Sequence, residues 1–149
     1  MPEFLQVTVD KFTFKVATDR FYTREGVWAL AEGNRVRIGL SDFLQQRSGD
    51  IAFAEIKPAG TPLAAGEEVA SIETIKVTVA LSSPVSGNVI EVNPEMDTAP
   101  EAINRDPYGA GWLVVMAASD WDADRSQLLE AAAYFEVVKR EAEEEMKKQ

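Results

Sequence analysis

Cysteine and histidine are both absent from this chain of 149 residues. Without them there is no thiol nucleophile, no imidazole base and no soft or borderline metal ligand. Most routes to a hydrolase or redox site are closed, and any sulfur or redox chemistry must arrive on an attached group. Basic charge is scarce too: 15 Lys and Arg stand against 25 Asp and Glu, for a net charge of −10. Nucleic acid and anionic membrane surfaces call for clustered cations, so neither is an expected partner, whereas a basic protein surface suits an acidic chain. Long apolar runs are missing, and Trp112 to Ala118 is far too short to span a bilayer. No charged-then-apolar leader opens the chain, which makes the cytoplasm the expected location.

What is present reads as one globular domain with a sizeable core, at 46% hydrophobic and 27% charged residues. Leu5 to Val9 and Phe12 to Val16 alternate as two short strands or one bent strand. From Val27 to Val92 short strands are punctuated by Glu32-Gly33-Asn34, Ser48-Gly49-Asp50, Pro58-Ala59-Gly60, Ala65-Gly66 and Ser86-Gly87-Asn88. A short helix capped by Ser41 is expected over Ser41 to Gln46. Thr98 is an expected N-cap for a helical turn through Pro100 to Ile103, and Asp106-Pro107-Tyr108-Gly109 carries type I turn residues. Ser48-Gly49-Asp50-Ile51 and Ser86-Gly87-Asn88-Val89 form a weak internal repeat, which suits a flattened barrel or sandwich of two related halves. From about Ser126 a helix is expected, with Leu128, Leu129, Ala132 and Phe135 on one face and Val138 extending it. Past Val138 it turns polar, with Glu143–Lys147 and Glu144–Lys148 as i,i+4 pairs worth about 0.2–0.5 kcal/mol each.

Lys76 is the residue that asks for an explanation. It lies in Ser71-Ile72-Glu73-Thr74-Ile75-Lys76-Val77-Thr78-Val79, and Ser83-Pro84-Val85-Ser86-Gly87 follows. An ammonium on a flexible stem is costly to bury, so within a strand-rich stretch it belongs at a turn or facing solvent. A lysine presented on a stiff hairpin tip is what an enzyme needs to attach a prosthetic group. The plain alternative is an ordinary surface lysine.

The segment resembles the lipoyl-attachment site of the glycine-cleavage H-protein family, whose usual wording is close to Glu-Ser-Val-Lys-Ala and then Ser-Pro-Val-Ser-Gly. The resemblance runs from about Asp19 to Val138. It includes Phe21-Tyr22-Thr23-Arg24 leading to Trp28, Ile38-Gly39-Leu40-Ser41-Asp42 with Gly49-Asp50-Ile51, Asn104 to Leu113, and Leu128-Leu129 to Tyr134. Biotinyl carriers usually place Met on both sides of the modified lysine, and pyruvate-dehydrogenase-type lipoyl domains usually place Asp before it. Ile75 and Val77 fit neither.

The resemblance implies a mainly β lipoyl/biotinyl-carrier fold, a barrel-sandwich hybrid with short helices and a C-terminal helix. It divides the chain into an N-terminal extension (1–18), the carrier domain (19–138) and a polar helical tail (139–149). It implies a carrier rather than an enzyme, with lipoic acid amide-linked to Lys76 as a swinging arm whose base is stiffened by Pro84 and the β-branched flanks. Glu73 is a candidate contact for the lipoate-attaching enzyme or, equally, a solubilising strand carboxylate. Trp28, Pro107, Tyr108 and Trp112 either line the resting surface of the arm or pack in the core, and core is favoured for both tryptophans. Dihydrolipoamide dehydrogenase is a further implied partner.

Departures from the family pattern bear on the cargo. The family commonly has His-Glu before the early tryptophan and Asp four residues after the lysine. Here those positions hold Gly26, Val27 and Ala80. Desolvating an aminomethyl ammonium without a carboxylate costs several kcal/mol. A less charged, sulfur-bearing cargo is therefore slightly favoured, as in the H-like lipoate-binding proteins found beside heterodisulfide-reductase-like complexes of sulfur oxidation. Carriage of aminomethyl groups among glycine-cleavage enzymes stands beside it, with Glu25, Asp97 or Glu101 as substitute counter-charges. A non-lipoylated scaffold or interaction module is the third reading.

Overall fold

The computed structural model describes residues 3–147. Two sheets enclose the main core. The larger has six strands in the order β3 (Phe21–Tyr22), β4 (Val27–Glu32), β5 (Arg35–Leu40), β11 (Val114–Ala118), β10 (Gly87–Val92) and β7 (Pro62–Leu63). The smaller has β6 (Ile51–Ile56), β8 (Glu68–Thr74) and β9 (Thr78–Ser82). Every neighbouring pair is antiparallel. Alternation does the sorting, since period-2 side chains feed one face of each strand to a shared interior. Val27, Ile38, Leu40, Val89, Val114 and Met116 from the larger sheet meet Ile51, Ile72 and Leu81 from the smaller. The mainly β barrel-sandwich expectation holds. The Ser-Gly-Asx repeats lead into β6 and β10, one in each sheet. Gly87 and Asn88 belong to β10 itself and not to a turn, because both pair with β7 and β11.

A second core lies on the outer side of the larger sheet. Strands β1 (Phe4–Val9) and β2 (Phe12–Ala17) form a two-stranded hairpin of their own. With helix α5 (Ala131–Lys147) they cover Trp28, Tyr22, Phe14, Phe43, Tyr134 and Val138. Strand β4 explains both cores at once: Val27 and Ala29 point into the sandwich, and Trp28 points the opposite way into the second cluster. Trp28 is fully buried, and its indole N–H donates to the carbonyls of Leu40 (2.9 Å) and Pro107 (3.0 Å). The Arg20 guanidinium stacks over it at 4.6 Å while bonding Asp19 and the Tyr108 carbonyl. Core placement of Trp28 follows from this packing. Trp112 is half-buried against the same cluster, with the Arg37 guanidinium over its ring at 4.6 Å.

Several local expectations need correction. The last helix starts at Ala131, not near Ser126, because Leu129 instead exchanges both backbone hydrogen bonds with Tyr22 (2.8 and 2.9 Å). The preceding turn forms its own short helix α4 (Trp121–Arg125), capped by Asp120. The buried face of α5 is accordingly Ala131, Tyr134, Val137, Val138 and Ala142, with Phe135 at its margin. Tyr134 takes the central place because its ring stacks on Tyr22 at 4.5 Å and its hydroxyl meets Ser41 Oγ at 2.7 Å. Thr98 caps nothing: it ends helix α2 (Glu95–Thr98), and helix α3 (Ala102–Arg105) follows Glu101 without a side-chain cap. Past Val138 the helix is not wholly solvated, since Ala142 is buried and Glu141 and Glu145 both reach Arg47. Among the described residues no salt bridge joins Glu143 to Lys147, whereas Lys139 pairs with Glu136 at 2.9 Å. The Glu144–Lys148 pair lies outside the described residues. Helix α1 (Asp42–Ser48) is capped as expected, Ser41 Oγ accepting from the Leu44 amide at 3.2 Å. Among the described residues no helix is long and apolar enough to cross a membrane.

Burial raises the phenols of Tyr22 and Tyr134, and pushes that of Tyr108 up to about 12. The ordinary value is near 10, so these hydroxyls ionise more readily in the unfolded chain. Their contribution to stability is complete below that value and is lost as the pH rises toward 12 and beyond. The urea midpoint is expected to be lower at pH 11 than at pH 9. An unchanged midpoint would mean that the phenols are not buried in this way.

Candidate functional site

Lys76 occupies the tip of the β8–β9 hairpin. Register pairs Glu73 with Thr78, leaving Thr74 and Val77 to close a two-residue loop of Ile75 and Lys76. The Thr74 amide donates to the Val77 carbonyl at 2.9 Å. The buried Thr74 hydroxyl accepts from the amides of Lys76 (3.2 Å) and Val77 (3.1 Å) and lies 3.2 Å from the Val77 carbonyl. Such a side-chain cap holds a turn in the absence of glycine or proline. Lys76 is exposed, and Ile75 beside it is 95% exposed, so the amine is open to a modifying enzyme. Pro84 does not stiffen this base. It lies past the far end of β9, where Val85 is buried in the sandwich. The stiffening comes from Thr74, a residue that sequence reasoning passed over, although a threonine two residues before a turn lysine is a recognisable side-chain cap.

The facing loop is fixed just as firmly. Asn104 accepts from the Ile51 amide (2.9 Å) and donates to the Gly49 carbonyl and Gln45 Oε1 (3.0 Å each). Gly49, at φ 93°, ends α1, and a Cβ there would come within 3.9 Å of Lys76 Cε. A pocket of about 310 Å³ lined by Ser48, Gly49, Asp50, Thr74, Ile75 and Lys76 results. Asn104 went unassigned in the sequence because its partners are distant in the chain.

A larger groove of about 490 Å³ opens alongside, walled by Arg24, Glu25, Leu44, Arg47, Ser48, Val77, Val79 and Glu141. Arg47 is held by Glu141 and Glu145 at 3.0 Å each. Arg24 and Glu25 are exposed neighbours on the Thr23–Gly26 turn and make no salt bridge among the described residues. Gly26, at φ 105°, brings that turn against Tyr134 and Ser41, where a Cβ would sit 2.8–2.9 Å from the two hydroxyl oxygens. Of the candidate substitute carboxylates, Glu25 alone reaches the groove, while Asp97 lines a separate pocket with Met96 and Ala54. Glu101 precedes α3 and lines neither groove nor pocket near Lys76. Val27 is sealed in the sandwich core, and Ala80 is exposed outside the groove, so neither supplies a charge there. Trp28, Pro107, Tyr108 and Trp112 do not line it either. Glu73 lies exposed on β8, opposite Phe53 of β6, itself 67% exposed.

Residues 20–141 match the family model described as glycine cleavage H-protein. The chain is 39% identical over 127 residues to a glycine cleavage system H protein of Thermus thermophilus, covering 85% of this chain and 98% of that one. It is 42% identical over 125 residues to the Chlorobium limicola protein of the same name, covering 83% and 97%. The crystal structure of a glycine cleavage system H protein from Mycobacterium marinum superposes with a TM-score of 0.72 at 32% identity, covering 80% of this chain and 95% of that chain.

If Thr74 holds the tip, Thr74→Val keeps the branched shape and removes the cap. Loss of a hydrogen bond worth about 1 kcal/mol should speed amide exchange at Lys76 and Val77 roughly fivefold. Site-resolved hydrogen exchange reads this directly, and unchanged rates would show that the turn is held by something else.

Proposed function

This chain belongs to the glycine cleavage H-protein family, and we propose that Lys76 is the residue to which its lipoyl group is attached. Members of the family are lipoyl carriers rather than catalysts, with lipoate covalently bound to a lysine and partners that include a lipoate-attaching enzyme. The observation that carries the assignment is the Thr74-capped tip, which presents the Lys76 amine to solvent on a hydrogen-bonded base. The surroundings fit an acyl arm: Leu44, Val77 and Val79 offer apolar surface within reach of the turn. Attached there, the group supplies a dithiolane that opens to thiols and carries a unit between enzymes. The chain's part is to hold the base, to shelter the cargo and to raise its effective concentration at each partner. Glu73, exposed on β8 ahead of the turn, is within the surface a lipoate-attaching enzyme would cover, and we assign it a recognition role there.

For the cargo, the groove walls support a sulfur-bearing unit delivered to a heterodisulfide-reductase-like complex. The position before Trp28 gives the groove no carboxylate, Glu25 is accompanied by Arg24, and Glu141 is already paired with Arg47. An ammonium entering such a groove loses hydration without a dedicated counter-charge. A second reading, carriage of aminomethyl groups among glycine-cleavage enzymes, is favoured by the shared name of the relatives and by the Glu25 carboxylate on the wall. In either case dihydrolipoamide dehydrogenase is the expected reoxidant of the free arm.

Incubated with lipoate ligase and lipoate, the full chain should gain one lipoyl mass, and Lys76→Arg should gain none. Uptake by the variant would move the attachment elsewhere, and no uptake by the parent chain would leave the scaffold reading. Given to glycine decarboxylase, the lipoylated protein should support little bicarbonate exchange into glycine. Robust exchange would overturn the sulfur cargo in favour of the aminomethyl one.

A further inference from the structure

Phe12 and Phe14 lie on the hairpin β1–β2, ahead of the residues that match the family. Their rings are 6.4 Å apart, and Phe14 meets Phe43 of α1 edge-on at 5.1 Å. Phe14 and Phe43 are buried in the second core, but Phe12 remains 54% exposed. These rings line a groove of about 220 Å³ whose remaining walls are Gln46, Arg47, Glu145 and Lys76. This groove and the small pocket over Gly49 both include Lys76, whereas the larger groove along Val77 and Val79 does not. The side chain that would bear the arm therefore borders the aromatic groove.

We propose that the N-terminal hairpin provides an aromatic shelf on which the unloaded, disulfide form of the lipoyl arm of Lys76 rests between partners, an inference that builds on Lys76 as the attachment residue and leaves the larger groove to the loaded arm. The chemistry fits the occupant. An acyl chain and a five-membered disulfide ring are apolar and slender, and sulfur packs favourably against aromatic rings. The groove is smaller than the roughly 300–1,000 Å³ typical of sites for drug-sized ligands. Its rim is polar yet neutralised, because Arg47 bonds to Glu145 at 3.0 Å and stacks over Phe43 at 5.4 Å. A disulfide docked there would exchange part of its contact with solvent for contact with these rings.

The test uses the lipoylated full chain, its modification established first by intact mass. Lipoyl methylene protons should show nuclear Overhauser contacts to the rings of Phe12, Phe14 and Phe43. A water-soluble phosphine should reduce the protein-bound disulfide several-fold more slowly than free lipoamide. Phe12→Ala, which removes an exposed ring and leaves the Phe14–Phe43 contact, should restore the rate toward that of lipoamide, and Phe12→Leu should hold part of the protection. Contacts to Leu44 and Val79 instead would place the arm in the larger groove and overturn the shelf. So would a reduction rate equal to that of lipoamide, or one insensitive to Phe12→Ala. A chain that takes up no lipoyl mass removes both the shelf and the attachment reading, whereas a lipoylated chain without these contacts removes the shelf alone.

Discussion

The lysine that we propose to bear the lipoyl arm has to be exposed, yet the strand ends that carry it must not move with it. In this chain that conflict is resolved by the Thr74 hydroxyl, which gathers the amides of Lys76 and Val77 at the end of a seven-residue strand. The strand is fixed in turn by pairing on both sides, to β6 and to β9. Asn104 holds the opposing loop by three hydrogen bonds, so that the surface under the lysine stem is as settled as the tip. Exposure and rigidity are thus divided between neighbouring residues: Ile75 and Lys76 face solvent, and Thr74 is buried.

The two cores relate to that tip differently. The sandwich interior between the sheets supports the hairpin from below. The outer cluster, built on Trp28, Tyr22 and Tyr134, secures the N-terminal hairpin and α5 against the larger sheet. Each large apolar side chain buried there contributes about 1.5–3 kcal/mol. The hydroxyls and guanidinium that enter with them are matched, and among the described residues no buried side-chain polar atom lacks a partner. Arg47 links this cluster to the grooves, since Glu141 and Glu145 of α5 hold it beside the loop that faces Lys76. Charge in the grooves is consequently set as much by the C-terminal helix as by the strands.

Much of this was legible in the chain. Alternation marked the strands, Ser41 marked the start of α1, and the Glu73-to-Gly87 wording marked the lysine. What failed to read were features decided by distant partners. Leu128 and Leu129 have helical spacing with Ala132 and Phe135, but a two-bond bridge to Tyr22 outweighs it and delays the helix to Ala131. Gly87-Asn88 looks like a turn until its pairing to β7 and β11 is known. Thr98 has capping chemistry, yet it ends α2, and α3 follows Glu101 without a side-chain cap. Pro84 seemed the natural stiffener because it is close in sequence to Lys76, but a strand of five residues carries it to the other end of the sandwich.

Among the lysines of the described residues, Lys76 alone combines the family wording with a capped, solvent-facing tip, and it is the one amine we propose to bear the prosthetic group. Peptide mapping by tandem mass spectrometry after enzymatic lipoylation addresses this directly. A single lipoyl group is expected on the peptide spanning Lys76, with tryptic cleavage blocked at that residue. A lipoyl group on Lys57 or another lysine, or spread over several, would contradict it.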